Sequence, residues 1–103
     1  MSSKSIMKTS SQVEADPILL TARDGVSRGD LTRALHAYNH LIRRNRSIGD
    51  VLPDLAQLVK QFPRDPHVWQ ALGDALTRSG NADHAAQSYD RARQLMSQEN
   101  PAE

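Results

Sequence analysis

The sequence predicts an all-α fold. Apolar residues recur at steps of three and four along about eighty residues, helix-capping residues and glycines fall at the breaks between those runs, and no alternating β-branched run competes. Five helices follow from this pattern, joined by short turns. Helices this short are marginal in water, so each apolar stripe must be covered by its neighbours.

Asp16 and Pro17 supply a side-chain acceptor and a residue already fixed at helical φ. They open a first helix that runs to about Arg28, with Ile18, Leu19, Ala22 and Val26 inward. Gly25 lies inside it, where glycine weakens a helix. Gly29 suits the left-handed residue that ends this helix and Asp30 caps the next, so RGDLTRAL reads as a tight helical hairpin. The second helix, about 31–44, sets Leu31, Ala34, Leu35, Tyr38, Leu41 and Ile42 in one stripe.

Ser47 offers the next cap, with Asp50 three residues on, before Ile48, Val51, Leu52, Leu55, Leu58, Val59 and Phe62 repeat the stripe. Pro53 removes the hydrogen bond to the Gly49 carbonyl, which predicts either a kink or a regular helix starting nearer Leu52. FPRDP at 62–66 breaks the pattern, and Asp65 with Pro66 opens a fourth helix carrying Val68, Trp69, Leu72, Ala75 and Leu76. Gly80 then ends that helix and Asn81 starts a fifth, whose inward face is Ala85, Ala86, Tyr89, Ala92, Leu95 and Met96. The folded domain is expected at 16–97, between a polar, flexible leader at 1–15 and a tail at 98–103 interrupted by Pro101.

The chain also repeats itself. RGDLTRALHAYNHL at 28–41 is answered by SGNADHAAQSYDRA at 79–92, so that Gly29, Ala34 and Tyr38 align with Gly80, Ala85 and Tyr89. Upstream of the second copy, Trp69, Leu72 and Gly73 stand at the spacing W-x2-L-G. Gly73 and Ala85 are the small residues expected where two helix axes cross, with Trp69 and Tyr89 filling the space beside them.

On these motifs the chain resembles the tetratricopeptide repeat family, and in particular helical regions of bacterial members. One complete repeat covers 66–97 and carries Trp69, Leu72, Gly73, Gly80, Ala85, Tyr89 and Ala92. A divergent hairpin keeps Ala22, Gly29, Ala34 and Tyr38 but has Ile18 in place of the tryptophan and Gly25 where a bulky residue is usual. The resemblance implies a right-handed solenoid of two hairpins and one linker helix at about 48–62, a loosely packed first helix, and a protein-interaction scaffold. It also implies that the fourth helix lines a concave groove, which makes its outward residues His67, Gln70, Asp74, Thr77 and Arg78 the partner-contact candidates. The basic and asparagine set by which some relatives clamp a chaperone's terminal carboxylate is absent, and Asp74 would repel that ligand.

Composition narrows the chemistry. A formal charge of +1 is far from the field of a protein living on phosphate contacts, and only four aromatic residues are present for base stacking. The rival reading, a small helical nucleic-acid-binding protein, would use Arg23, Arg28, Arg33, Arg43, Arg44 and Arg46. The absence of cysteine removes thiolate nucleophiles and cysteine-based zinc sites and suits a cytoplasmic setting, and no apolar run is long enough for a membrane span.

His36 and His40 have metal-ligand spacing on one helix, but Ala37 stands where a metalloprotease motif carries glutamate and no third ligand is spaced nearby. No metal or cofactor is expected. The pairs Asp50 and Asp54, and Asp83 and Asp90, sit at cap or outer-face positions without a nucleophile, so no catalytic residue is assigned. RGD at 28–30 is turn grammar, and the arginines at 43, 44 and 46 complement a helix C-terminus. Residues 16–46 carry a net +3 and residues 47–103 a net −3, a complementarity suited to self-association or to orienting a charged partner. The expected function is therefore a non-catalytic interaction module whose open ends meet a peptide, a partner domain or a second copy.

Overall fold

The computed structural model describes residues 16–99. The predicted leader at 1–15 and residues 100–103 of the predicted tail lie outside them. The described residues form five α-helices: α1 (Pro17–Ser27), α2 (Leu31–Arg43), α3 (Ile48–Gln61), α4 (Pro66–Arg78) and α5 (Ala82–Glu99). This is the all-α stack that the periodicity predicted, consistent with a tetratricopeptide-like solenoid. The last helix runs two residues past the expected 97.

Three of the N-termini are capped by aspartate. Asp16 Oδ1 accepts from the Ile18 amide, Asp30 Oδ1 from Arg33 and Asp65 Oδ1 from His67. The C-termini of α1, α2 and α4 close alike, with a left-handed residue at Gly29, Asn45 and Gly80. The next residue's amide then bonds back five positions, from Asp30 to Gly25, Arg46 to Leu41 and Asn81 to Leu76. These closures make the turns tight enough for successive helices to fold back on one another.

At the start of α3 the expected capping differs. Ser47 is itself left-handed and makes no side-chain cap; its carbonyl takes the Asp50 and Val51 amides instead. The helix nevertheless starts at Ile48 and continues through Pro53, so a start nearer Leu52 is ruled out. Pro53 is exposed. Phe62, read as the last member of the α3 stripe, is 39% exposed, because the helix ends at Gln61 and the backbone there leaves the helical region.

Packing centres on α4, which touches α2, α3 and α5, while α1 packs on α2. The core is Leu19 and Ala22 of α1, Ala34, Leu35, Ala37, Tyr38, Leu41 and Ile42 of α2, Val51, Leu55, Leu58 and Val59 of α3, and Val68, Ala71 and Ala75 of α4. On α5 the inward arc is Ala85, Ser88, Ala92 and Leu95, whereas Ala86 is exposed. Ser88 can be buried because its hydroxyl donates to the Trp69 carbonyl at 2.7 Å, which satisfies the polar atom and pins α5 to α4.

Small residues set the approach of paired helices. A methyl group at Gly73 would stand 2.7 Å from Cε1 of Tyr89, so the ring occupies the space a side chain there would need. In the first hairpin a methyl at Gly25 would stand 2.9 Å from the Ala34 backbone nitrogen. The expectation of a loosely packed first helix is therefore wrong. Gly25 is buried, and its lack of a side chain is what lets α1 reach the α2 backbone. Trp69 is half-buried, and its indole N–H donates to the Pro63 carbonyl at 2.8 Å, which fixes the α3–α4 turn.

Gly25→Ala and Gly73→Ala are each expected to destabilise the domain by about 1–3 kcal/mol, Gly25→Ala the more because backbone cannot retreat. Gly49→Ala, with open space around the new methyl, is expected to stabilise it by about 0.5–1 kcal/mol through helix propensity. Urea unfolding curves of the three variants check the opposite signs.

Candidate interaction site

Between α2 and α4 the surface dips into two grooves. One, of about 360 Å³, is lined by Leu31, Thr32, Leu35, Asn39, Asp65 and His67. The other, of about 270 Å³, is lined by Asn39, Ile42, Arg43, His67, Gln70, Ala71 and Asp74. They share Asn39 and His67 and so form one trough between the two helices. From Leu31 to Arg43 it follows about 18 Å of helix, enough for five or six extended residues. Leu35, Ile42 and Ala71 lie at its base, nearly closed to solvent, and Asp65, His67 and Asp74 stand along its other side. The small side chain of Ala71 sits where α4 meets α2.

The residues predicted for partner contact divide in two. His67, Gln70 and Asp74 line the trough. Thr77 is exposed but outside the trough lining, its hydroxyl donating to the Gly73 carbonyl at 2.9 Å and standing 3.4 Å from the Tyr89 hydroxyl. Arg78 reaches across to the Arg43 carbonyl at 3.3 Å and closes the trough at its C-terminal end. The α2 wall, with Thr32, Asn39, Ile42 and Arg43, has no signal in the sequence, because apolar periodicity does not say which helix lies across a groove from the fourth. The side-chain amides of Asn39 and Gln70 make no hydrogen bond within the described residues, so they are available to a bound chain.

A family model described as the bacterial transcriptional activator domain matches residues 10–101, and so spans all five helices. The chain belongs to the bacterial transcriptional activator domain family. No curated protein and no solved structure matches it.

In this activator domain the ionic contacts are mostly internal. Arg23 of α1 grips Asp54 of α3 through Nε at 2.7 Å and Nη2 at 3.1 Å, with Asp50 at 3.9 Å. The same Asp54 accepts the Tyr38 hydroxyl at 2.8 Å, so a single carboxylate ties α1, α2 and α3 together. Arg46 pairs with the largely buried Asp16 at 2.8 Å and ties the start of α1 to the α2–α3 turn. Arg28 pairs with Asp24, and Arg93 with Asp90. Part of the opposite charge of the two halves is thus used inside the molecule, where Arg23 meets Asp50 and Asp54.

Burial, with the bond to Asp54, holds the Tyr38 phenol well above the usual tyrosine range. Burial, with the bond to Asp74, also raises that of Tyr89. The hydrogen bond to Asp54 raises Arg23 as well. Two other grooves flank this framework. One of about 220 Å³ lies beside Arg23, Tyr38 and Asp54. A more apolar one of about 440 Å³ runs over Trp69, Leu72 and Leu76, between α3 and α5. Among the described residues no helix is long and apolar enough to cross a membrane.

A phenol with a raised pKa in the fold stabilises it fully below the ordinary tyrosine pKa of about 10 and loses that contribution as pH climbs toward the folded value. Unfolding free energy is therefore expected to fall above pH 10 by up to ~1.4 kcal/mol per pH unit for each tyrosine. Tyr38→Phe removes its share of that slope. Asp54→Ala, which leaves the Tyr38 hydroxyl and Arg23 without their acceptor, is expected to cost about 1–3 kcal/mol at neutral pH. Chemical denaturation across pH 7–11 reads both effects.

Proposed function

We propose that this chain is the protein-interaction part of a bacterial transcriptional activator, with no catalysis of its own, and that it holds a partner segment in the α2–α4 trough. The observation that carries the reading is the trough itself: an apolar base flanked by the unpaired amides of Asn39 and Gln70, which suits the backbone of an extended chain. The tetratricopeptide-like repeat around Trp69, Gly73 and Tyr89 supports it, since such stacks serve as docking scaffolds. A transcriptional context agrees with work in the cytoplasm.

The nucleic-acid reading loses three of its six arginines, because Arg23, Arg28 and Arg46 are paired with carboxylates. A photo-crosslinking amino acid at Gln70 is expected to capture a protein in cells, and the adduct is expected to vanish when Asn39→Arg fills the trough. The same group at exposed Gln94 on α5 is expected to capture nothing. Equal capture at both positions, or a DNA complex that depends on Arg43 and Arg44 with no protein adduct, overturns the proposal.

A further inference from the structure

The outward arc of α2 carries no acidic residue. Arg33, His36, His40 and Arg43 follow one another at steps of three, four and three, which places them in one stripe about 15 Å long. Arg33, His36 and Arg43 are exposed and His40 is half-buried. None of their side chains meets a carboxylate within the described residues, whereas Arg23, Arg28, Arg46 and Arg93 are each paired with an aspartate. This stripe meets the trough at Arg43, and Thr32 and Asn39 of the trough's α2 wall are chain neighbours of Arg33 and His40. An apolar-floored groove and a basic stripe therefore run side by side.

We infer that the trough and this stripe together receive an amphipathic acidic segment of a protein partner. Its apolar residues enter over Leu35, Ile42 and Ala71, and its carboxylates pair with Arg33, His36, His40 and Arg43. This rests on the interaction reading of the trough and names the chemistry of the partner. Two observations favour a protein over a nucleic acid. A phosphate backbone has no apolar edge to match the trough floor, and a net charge of +1 gives no broad positive field to hold a duplex. Two carboxylates, Asp65 and Asp74, line the trough on its α4 side, and Asp74 Oδ1 accepts from the Tyr89 hydroxyl, so the segment's own carboxylates must lie toward the α2 stripe and away from that wall.

The test is an amide NMR titration of the full chain with two capped twelve-residue peptides of identical leucine pattern, one bearing glutamates on its polar face and the other lysines. The glutamate peptide is expected to shift α2 and trough amides and to weaken with added salt. Affinity is expected to drop roughly five- to tenfold in the exposed-site variant Arg33→Ala/Arg43→Ala. Arg28→Ala, which removes an arginine already paired, is expected to leave it unchanged.

Trough binding by the lysine peptide as tight as by the glutamate peptide, or binding indifferent to Arg33→Ala/Arg43→Ala, overturns the acidic assignment while leaving the trough reading intact. Displacement of the glutamate peptide by a twenty-base-pair duplex bound at the same stripe overturns the choice of a protein. If neither peptide shifts a trough amide, the acidic assignment is overturned. If the Gln70 crosslinker also finds nothing, the trough reading falls with it. Circular dichroism of each variant confirms that the fold is kept.

Discussion

The arrangement of the two hairpins depends on where each tyrosine hydroxyl finds its acceptor. Tyr38 and Tyr89 occupy the same repeat position, and the residues aligned with each other on their partner helices are Arg23 and Asp74. In the second hairpin the phenol bonds to Asp74 on the neighbouring α4, and the bond stays within the pair. In the first hairpin an arginine stands there instead, so the phenol turns to Asp54 on α3, and Arg23 grips the same carboxylate from the other side. One change of charge sign at one repeat position therefore converts a contact inside a hairpin into the tie that holds the linker helix. A buried phenol and an exposed guanidinium converge on one mostly buried carboxylate, which would be costly to bury without such donors.

This tie also shapes the outer surface. With Arg23 committed to Asp54, Arg46 to Asp16 and Arg28 to Asp24, much of the basic charge of the first half is neutralised within the fold. The arginines left over are not scattered, because α2 has no carboxylate of its own to meet them. Its apolar arc is buried against α1, α3 and α4, so the remaining arc presents a continuous basic edge beside the trough. Core packing and surface chemistry are two sides of the same thirteen-residue helix.

Close approach explains the rest of the geometry. Gly25 against the Ala34 backbone and Gly73 against the Tyr89 ring let each hairpin close. Because α4 is packed on three sides, its remaining face becomes one wall of the trough, and its last residue, Arg78, bridges to the other wall. The family match, which spans every helix, agrees with a single structural unit of this kind.

Helix type and extent were legible in the residues, because caps, glycines and the spacing of apolar side chains act over a few neighbouring positions. Asp16, Asp30 and Asp65 cap as their placement implies, and Gly29 and Gly80 take the left-handed conformation that ends a helix. The outward positions His67, Gln70 and Asp74 on α4 were legible too, and they line the trough. What periodicity does not reveal is which helix faces which across a gap in the chain. That is why the α2 wall, the burial of Ser88 in place of Ala86, the tight seat of Gly25 and the exposure of Phe62 emerged only with the fold. The sequence determined local structure through interactions between residues close in the chain. Tertiary structure alone decided the site, because Asn39 and Gln70, or Tyr38 and Asp54, become partners only when separate helices are pressed together by the burial of their apolar faces.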